Sequence, residues 1–453
     1  MAAQILAICI FVGMFLLIIL DKFERYYITL ASGALVLALV FGVCMHSMSA
    51  IWGTLNLPSI FTSGFWYGAS EEGNSGINWS TIFFIAGMMI MVEGLGKAGF
   101  FRWLCLTLAK LVRYRIVPLL VCFMVLSAVL SMFIDSITVV LFLATVTLEL
   151  AQTMKFNPIP MILSEVFCAN LGGAATMCGD PPNIIVGTSL GYTFFDFISN
   201  TGVAVAICFV LVLIYFVLCF RKRLLRDEKN SGAAVCPQPG TAITNRPAFL
   251  LSAGVFLLAV ILLATHAQTK LTVACIGVIV AALSLVVIGC TSGGKAVLEI
   301  IKGVDYKTLL FFIGLFVSVA GLKETGVLDV IARFITTVSG GNAAIIVVII
   351  LWISAVTSAF VDNIPFAATM IPVVRSIAAA SGIDMGVLAW ALSLGTDLGG
   401  NATPIGASAN VVGTSVAAKG GYPISWGVYC KYCVGATVLV IAVSMGYLFL
   451  RHL

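Results

Sequence analysis

The sequence predicts an all-α polytopic membrane protein built from two inverted repeats. Each repeat is expected to hold five transmembrane spans and one re-entrant hairpin, with discontinuous helices at the midplane. Three observations predict this: a shortage of charge, an internal repeat held in one register, and paired interruptions within apolar helices. Only 9% of the 453 residues are charged and 61% are hydrophobic, whereas a soluble domain carries about 25% charged residues. So few charges cannot cover the surface of a soluble fold this long. The apolar residues fall in runs of spanning length, such as Ile28–Met45, Phe249–Thr265 and Leu271–Cys290.

At the start of the chain, Ala3–Leu20 has no basic flank before it and no small-residue cleavage site after it. It reads as a retained helix and not as a removed signal. Basic loops on one side of a bilayer account for the net charge of +5, and no nucleic-acid partner is implied. The thirteen cysteines are scattered, many in apolar runs, with no metal-type spacing. They read as small buried hydrophobes.

Thr81, Phe84, Gly87, Val92, Gly94, Leu95 and Gly99 recur as Thr308, Phe311, Gly314, Val319, Gly321, Leu322 and Gly326, always 227 positions later. The same offset carries Ser131, Phe133, Asp135 and Ile137 onto Ser358, Phe360, Asp362 and Ile364. It also carries Leu171, Gly172, Gly173, Ala175, Thr176, Gly179 and Asn183 onto Leu398, Gly399, Gly400, Ala402, Thr403, Gly406 and Asn410. Chance likeness between apolar runs does not keep one register over about 100 residues, so the unit is duplicated. The expected organisation is a first repeat over 1–220, a linker over 221–246 that opens Arg221-Lys-Arg-Leu-Leu-Arg226, and a second repeat over 247–453. A longer loop near His46–Asn78, with Glu71 and Glu72, shifts the register before Thr81.

Lysine and arginine orient the chain. With the linker cytoplasmic, 19 of the 24 basic residues lie inside and five outside, and the loop with Glu71 and Glu72 falls outside. Both termini are then extracytoplasmic, in a plasma (inner) membrane. Five spans per unit make the repeats inverted.

Two kinds of segment do not suit plain spans. The stretches 119–149 and 345–375 are interrupted at Asp135-Ser136 and at Asp362-Asn363-Ile-Pro365. They are too long for one span and too short for two, so each is expected to be a re-entrant hairpin with a polar tip. The stretches 160–190 and 386–417 contain Gly179-Asp-Pro-Pro-Asn183 and Gly406-Ala-Ser-Ala-Asn410, which break a helix in mid-membrane. Backbone freed there must be satisfied inside protein or by water. Paired broken segments point to a midplane transport site.

The polar residues at these breaks are the candidate solute- and ion-binding residues: Asp135, Ser136, Asn170, Thr176, Asp180 and Asn183, with Asp362, Asn363, Asp397, Asn401, Thr403 and Asn410. Asp397 and Asn401 share a helix face. Plainer readings stand beside this one. Asp135, Asp180 and Asp362 can be helix caps, and buried Asn and Thr can be interhelical glue. Four carboxylates at membrane depth favour function, and a coupling Na⁺ is expected near Asp135, Asp180, Asp362 and Asp397. Glu93 is read as a structural partner of Lys97, and Glu149 and Glu165 as boundary residues. His46, His266 and His452 are placed in loops or at the terminus. No Lys or Arg is expected in the site.

At these motifs the sequence resembles the arsenite permease and NhaD-type sodium/proton antiporter family, within the ion transporter superfamily. The resemblance rests on Val92-Glu-Gly-Leu95, Leu130-Ser-Met-Phe-Ile-Asp135, Gly179-Asp-Pro-Pro-Asn-Ile-Ile-Val-Gly187 and Ser358-Ala-Phe-Val-Asp-Asn-Ile-Pro365. Its Gly-Asp-Pro-Pro-Asn and Asp-Asn-Ile-Pro forms are most similar to the branch with the melanosomal P protein and its bacterial relatives. The resemblance implies a homodimer whose transport domain slides as an elevator against a scaffold. It also implies a site at the hairpin tips and the unwound helices. The sequence departs from the pattern at Ser136, where Asn is expected, and at Ala407, opposite Asp180, so the two half-sites are expected to differ.

Helix N-termini at the midplane favour an anion, whereas the aspartates favour a cation or proton. An H⁺- or Na⁺-coupled carrier of a small oxyanion, oxyacid or other anion accommodates both. Na⁺/H⁺ exchange is the alternative, then Na⁺-coupled dicarboxylate or citrate transport; a channel fits least. No organic cofactor is implied. An enzyme is not expected, since no metalloprotease His motif and no nucleophile elbow with a partner His occurs.

Overall fold

Backbone groups that cannot bond to lipid must bond to one another, and a chain this apolar does so in helices. The computed structural model describes residues 1–20, 22–68, 76–230 and 237–453. Among the described residues ten helices are long and apolar enough to cross a membrane, five before the polar connection and five after it. The expected loop residues Glu71 and Glu72 lie outside the described residues.

The main helices of the first half are α1 (Ala2–Leu20), α2 (Arg25–Leu35, continued by a π-helical stretch Val36–Cys44), α3 (Trp79–Lys97), α4 (Phe100–Leu111), α5 (Ile116–Ser131), α6 (Ser136–Met154), α7 (Ile159–Gly173), α8 (Pro181–Leu190) and α9 (Val203–Asn230). The second half runs α10 (Arg246–Thr269), α11 (Val273–Ser292), α12 (Tyr306–Glu324), α13 (Val327–Val338), α14 (Ala343–Ser358), α15 (Asn363–Ser381), α16 (Met385–Gly399), α17 (Ser408–Lys419) and α18 (Trp426–His452). From α3 to α6 both boundaries of each helix recur 227 positions later, as α12 to α15.

The repeat extends to the devices that start and stop helices. Asn78 Oδ1 accepts from the backbone N–H of Thr81 at 3.0 Å, and Asp305 Oδ1 from that of Thr308 at 3.2 Å. Each bond satisfies a donor that the first helical turn leaves unpaired. Gly99 and Gly326, at φ +84° and +75°, turn the chain into the short helices α4 and α13 through a left-handed conformation that suits glycine.

The halves interlock. α3 packs along α11 and α2 along α12, so each half gives one helix to each crossing. Both crossings need glycine: a Cβ on Gly87 would stand 2.2 Å from the Gly277 carbonyl oxygen, and one on Gly314 would stand 2.3 Å from the Thr29 carbonyl carbon. Small residues let helix backbones approach closely where lipid supplies no hydrophobic drive. The second group of helices is built alike. α5 packs on α7 at Gly172 and Ala128, and α14 packs on α16 at Gly399 and Ala355. Across the halves, α6 packs on α17 and α8 on α15, so each hairpin holds the broken helix of the other half.

Several expectations change in detail. The hairpin arms run over 116–154 and 343–381, longer than expected, and the helix breaks cover 174–180 and 400–407. The basic cluster Arg221–Arg226 is the helical end of α9 and not loop. Lys97 pairs with Glu299 at 3.1 Å and not with Glu93. His266 lies in the last turn of α10. Glu165, read as a boundary residue, is fully buried midway along α7.

Candidate functional site

The site begins at the hairpin tips, where the chain turns between apolar arms and a carboxylate caps the second arm. Asp135 accepts from Thr138 N at 3.0 Å and from Thr138 Oγ1 at 2.7 Å. Asp362 accepts from Ile364 N at 3.4 Å. Its other oxygen accepts from Arg25 Nη1 at 2.8 Å and from Ser408 Oγ at 2.7 Å. Capping is therefore real for both aspartates, but it uses only part of Asp362. Both line a cavity of about 700 Å³, together with Lys22, Glu24, Arg25 and Lys307. A second cavity of about 470 Å³ lies at the opposite ends of α3 and α12, beside Asn78, Trp79, Lys323 and Glu324.

The broken helices lock onto these tips. Thr176 Oγ1 donates to the Met132 carbonyl, and Thr403 Oγ1 to the Ala359 carbonyl. Asn183 Nδ2 donates to the carbonyls of Gly173 and Thr176 at 3.2 and 3.1 Å, and Asn410 Nδ2 to those of Gly400 and Thr403, both at 2.8 Å. The two asparagines thus restore hydrogen bonds that the unwound turns lose. Asp180 makes no side-chain cap to α8; it accepts from Ser136 Oγ at 2.7 Å. Asn363 accepts from Ser358 Oγ.

Between the broken helices lies a fully buried polar centre. Asn170 Nδ2 donates to Asn401 Oδ1 at 2.9 Å and to Asn410 Oδ1 at 2.8 Å. Asn183 accepts from Ser393 and faces Asp397. Among the described residues neither oxygen of Asp397 has a hydrogen-bond partner, nor do Asn170 Oδ1 and Asn401 Nδ2. An ionised carboxylate in this setting is costly, and a proton or a cation beside Asp397 would offset that cost. The acceptors are all oxygen, which suits a hard cation such as Na⁺. Among the described residues no three His, Cys, Asp or Glu groups converge on a metal site.

The sequence-derived residues therefore form two connected groups. Asp135 and Asp362 face the cavity, and Asn170, Asp180, Asn183, Asp397, Asn401 and Asn410 lie deeper. Thr176, Thr403 and Ser136 tie the one to the other, and Asn363 bonds within its own hairpin to Ser358. Contrary to expectation, the site includes a guanidinium, that of Arg25. In sequence Arg25 is simply one of the basic residues that orient the chain, and only the fold brings it to the second tip. Ser358, Ser393 and Ser408 were also missed. Ser358 belongs to the repeated Ser131/Ser358 pair, so its signal was present.

A buried polar centre between broken helices, with cavities at both ends, defines the chain as an integral-membrane secondary transporter. It belongs to the CitMHS family, described as citrate transporter, which matches residues 15–395. It is 32% identical over 451 residues to an uncharacterized transporter of Mycobacterium tuberculosis, covering 99% of each chain. To the human P protein it is 28% identical, over 83% of this chain and 54% of that protein. Among solved structures it shares the fold of the Alcanivorax borkumensis YdaH transporter, at TM-score 0.55 and 17% identity, over 87% of this chain and 88% of that one. It shares it also with MtrF of Neisseria gonorrhoeae, one of a class of antimetabolite efflux pumps, at TM-score 0.57 and 11% identity, over 88% of this chain and 84% of that one.

Proposed function

We propose that the chain is an H⁺- or Na⁺-coupled carrier of a small oxygen-rich anion, either an inorganic oxyanion or a citrate-class carboxylate. The observation that carries this reading is the Arg25–Asp362 ion pair at the second hairpin tip, on the wall of the larger cavity. An incoming anion can take the guanidinium from Asp362, and the carboxylate so released then needs a proton or Na⁺. Anion and coupling ion thus enter together for electrostatic reasons. A guanidinium presents a donor fork matched to carboxylate and oxyanion oxygens. The family description as citrate transporter supports the carboxylate class, and the motif resemblance to arsenite permeases supports the oxyanion class.

In this proposal the halves are inverted repeats with the polar connection cytoplasmic. The hairpins with α7, α8, α16 and α17 move as an elevator against α2, α3, α11 and α12 in a homodimer. The cavities at opposite ends of α3 and α12 suit alternating access. Na⁺/H⁺ exchange is a second reading, favoured by the unpartnered Asp397 carboxylate.

Flux into liposomes under an imposed H⁺ or Na⁺ gradient tests the proposal, with citrate, arsenite, phosphate and sulfate as probes. Gradient-driven uptake of at least one anion is expected, and Arg25→Ala should lower it at least about tenfold. Na⁺-dependent proton movement with no uptake of any of the four would replace the proposal by Na⁺/H⁺ exchange.

A further inference from the structure

We infer that Glu165 is a second proton-binding site, buried in the packed helices away from the solute cavity, that loads and unloads during the transport cycle. The inference rests on the coupled-transport reading above, but its primary test does not require transport.

Glu165 lies midway along α7 with no exposed surface. One carboxyl oxygen accepts from Thr147 Oγ1 of α6 at 2.5 Å, and the other has no hydrogen-bond partner among the described residues. Ser127 Oγ of α5 donates to the backbone oxygen of Glu165 at 2.6 Å and leaves the carboxyl alone. The titratable groups facing the carboxyl are the thiols Cys105 of α4 and Cys168 of α7. The other helices packed on α7 carry their charges elsewhere. α9 has them in its Arg221–Glu228 tail, α16 at Asp397, α17 at Lys419, and α18 at Lys431 and Arg451. Arg102 and Glu149, on α4 and α6, pair with each other at 2.6 Å. None of these groups makes a hydrogen bond or ion pair to Glu165.

The architecture does not require this carboxyl. Adding 227 to Glu165 and Thr147 gives Leu392 and Val374, both fully buried on α16 and α15. The same packing site is thus filled by two apolar side chains in one half and by an acid and its donor in the other. Burying a carboxyl where Leu and Val suffice is unfavourable, and a single hydroxyl bond offsets only part of that. A buried ionisable group at membrane depth, facing no cation, is the kind of residue that holds protons in pumps and transporters. Its position suits such a role: five residues on along the same helix, Asn170 bonds to Asn401 and Asn410 of the other half. A charge appearing at Glu165 would strain α7 against α5 and α6, and α7 leads directly to that junction.

The test is infrared difference spectroscopy of the purified full chain, titrated from about pH 5 to 9 without substrate. A protonated-carboxyl C=O band that changes with pH is expected, together with its loss in Glu165→Gln. The companion variant Thr147→Val/Glu165→Leu copies the apolar filling of the second half, so it should fold. It should retain binding of citrate or arsenite, whichever the wild type carries, while pH-gradient stimulation of uptake falls roughly tenfold. A band unchanged in both variants, or wild-type pH stimulation in the apolar pair, overturns the inference. If the chain carries none of the tested anions, the proposed function fails, while the infrared signal still decides Glu165.

Discussion

Arg25 Nη1 lies 2.8 Å from Asp362 Oδ2, which joins the first turn of α2 to the tip of the second hairpin, 337 residues later in the chain. Breaking a buried pair costs about 3–5 kcal/mol. The Arg25 side chain is 36% exposed, so Arg25→Ala is expected to cost less, roughly 1–3 kcal/mol. Transport should suffer more than stability: anion flux should fall at least about tenfold if the guanidinium binds the anion, and Arg25→Lys should rescue only part of it. Wild-type flux in Arg25→Ala would remove the arginine from the solute path.

Asp135→Asn and Asp362→Asn should each abolish transport while the protein still inserts and folds. Asparagine caps a helix about as well as aspartate, so the cap survives and the charge does not. Liposome flux measured beside thermal melting separates the two effects. Near-normal flux in both variants would return these residues to capping alone.

Glycine at the two scaffold crossings makes a prediction about folding. Gly87→Leu and Gly314→Leu drive a side chain into backbone 2.2 and 2.3 Å from the nearest atoms, beyond the overpacking that costs about 1–3 kcal/mol. Both should lose folded yield in detergent. Gly254, with nothing within 4 Å of an added Cβ, should tolerate Ala. Equal yields would mean that the crossings are looser than described.

Orientation is tested by cysteines placed at Thr241 and at Glu71, in a background without reactive native thiols. With the polar connection cytoplasmic, impermeant reagents should label the first only from the cytoplasm and the second only from outside. Labelling of both from one face would contradict the inverted arrangement.

Much of the fold was legible because membrane helices announce themselves by composition. The 227-residue register also gave each feature a second occurrence to check against. The breaks at Asp180 and Ala407 were readable for the same reason, since Gly and Pro interrupt helices wherever they stand. What the sequence could not show was which charges meet. Lys97 is four residues from Glu93, the spacing of a helical pair, yet it reaches Glu299, because α3 and the neighbouring 294–303 helix lie closer than local spacing can reveal. Arg25 meets Asp362 only through the fold, since the two stand 337 residues apart. Glu165 reads as a boundary residue in sequence, because its burial depends on the packing of α5 and α6.

The coupling claim rests on Asp180 and Asp397. Each stands where the other half has no carboxylate, opposite Ala407 and Asn170 respectively, and among the described residues neither is paired with a basic residue. The most direct measurement is the proton exchanged on ligand binding by purified protein in weakly buffered detergent. A carboxyl without a cation beside it favours its neutral form, and a bound cation reverses that preference. Na⁺ should therefore release protons and acidify the medium, whereas citrate or another carried anion should take protons up and alkalinise it. Asp397→Asn or Asp180→Asn should remove the signal for at least one of the two ligands. A carried anion that binds with neither proton nor Na⁺ linkage anywhere between about pH 5 and 9 would contradict the account and leave the carboxylates structural.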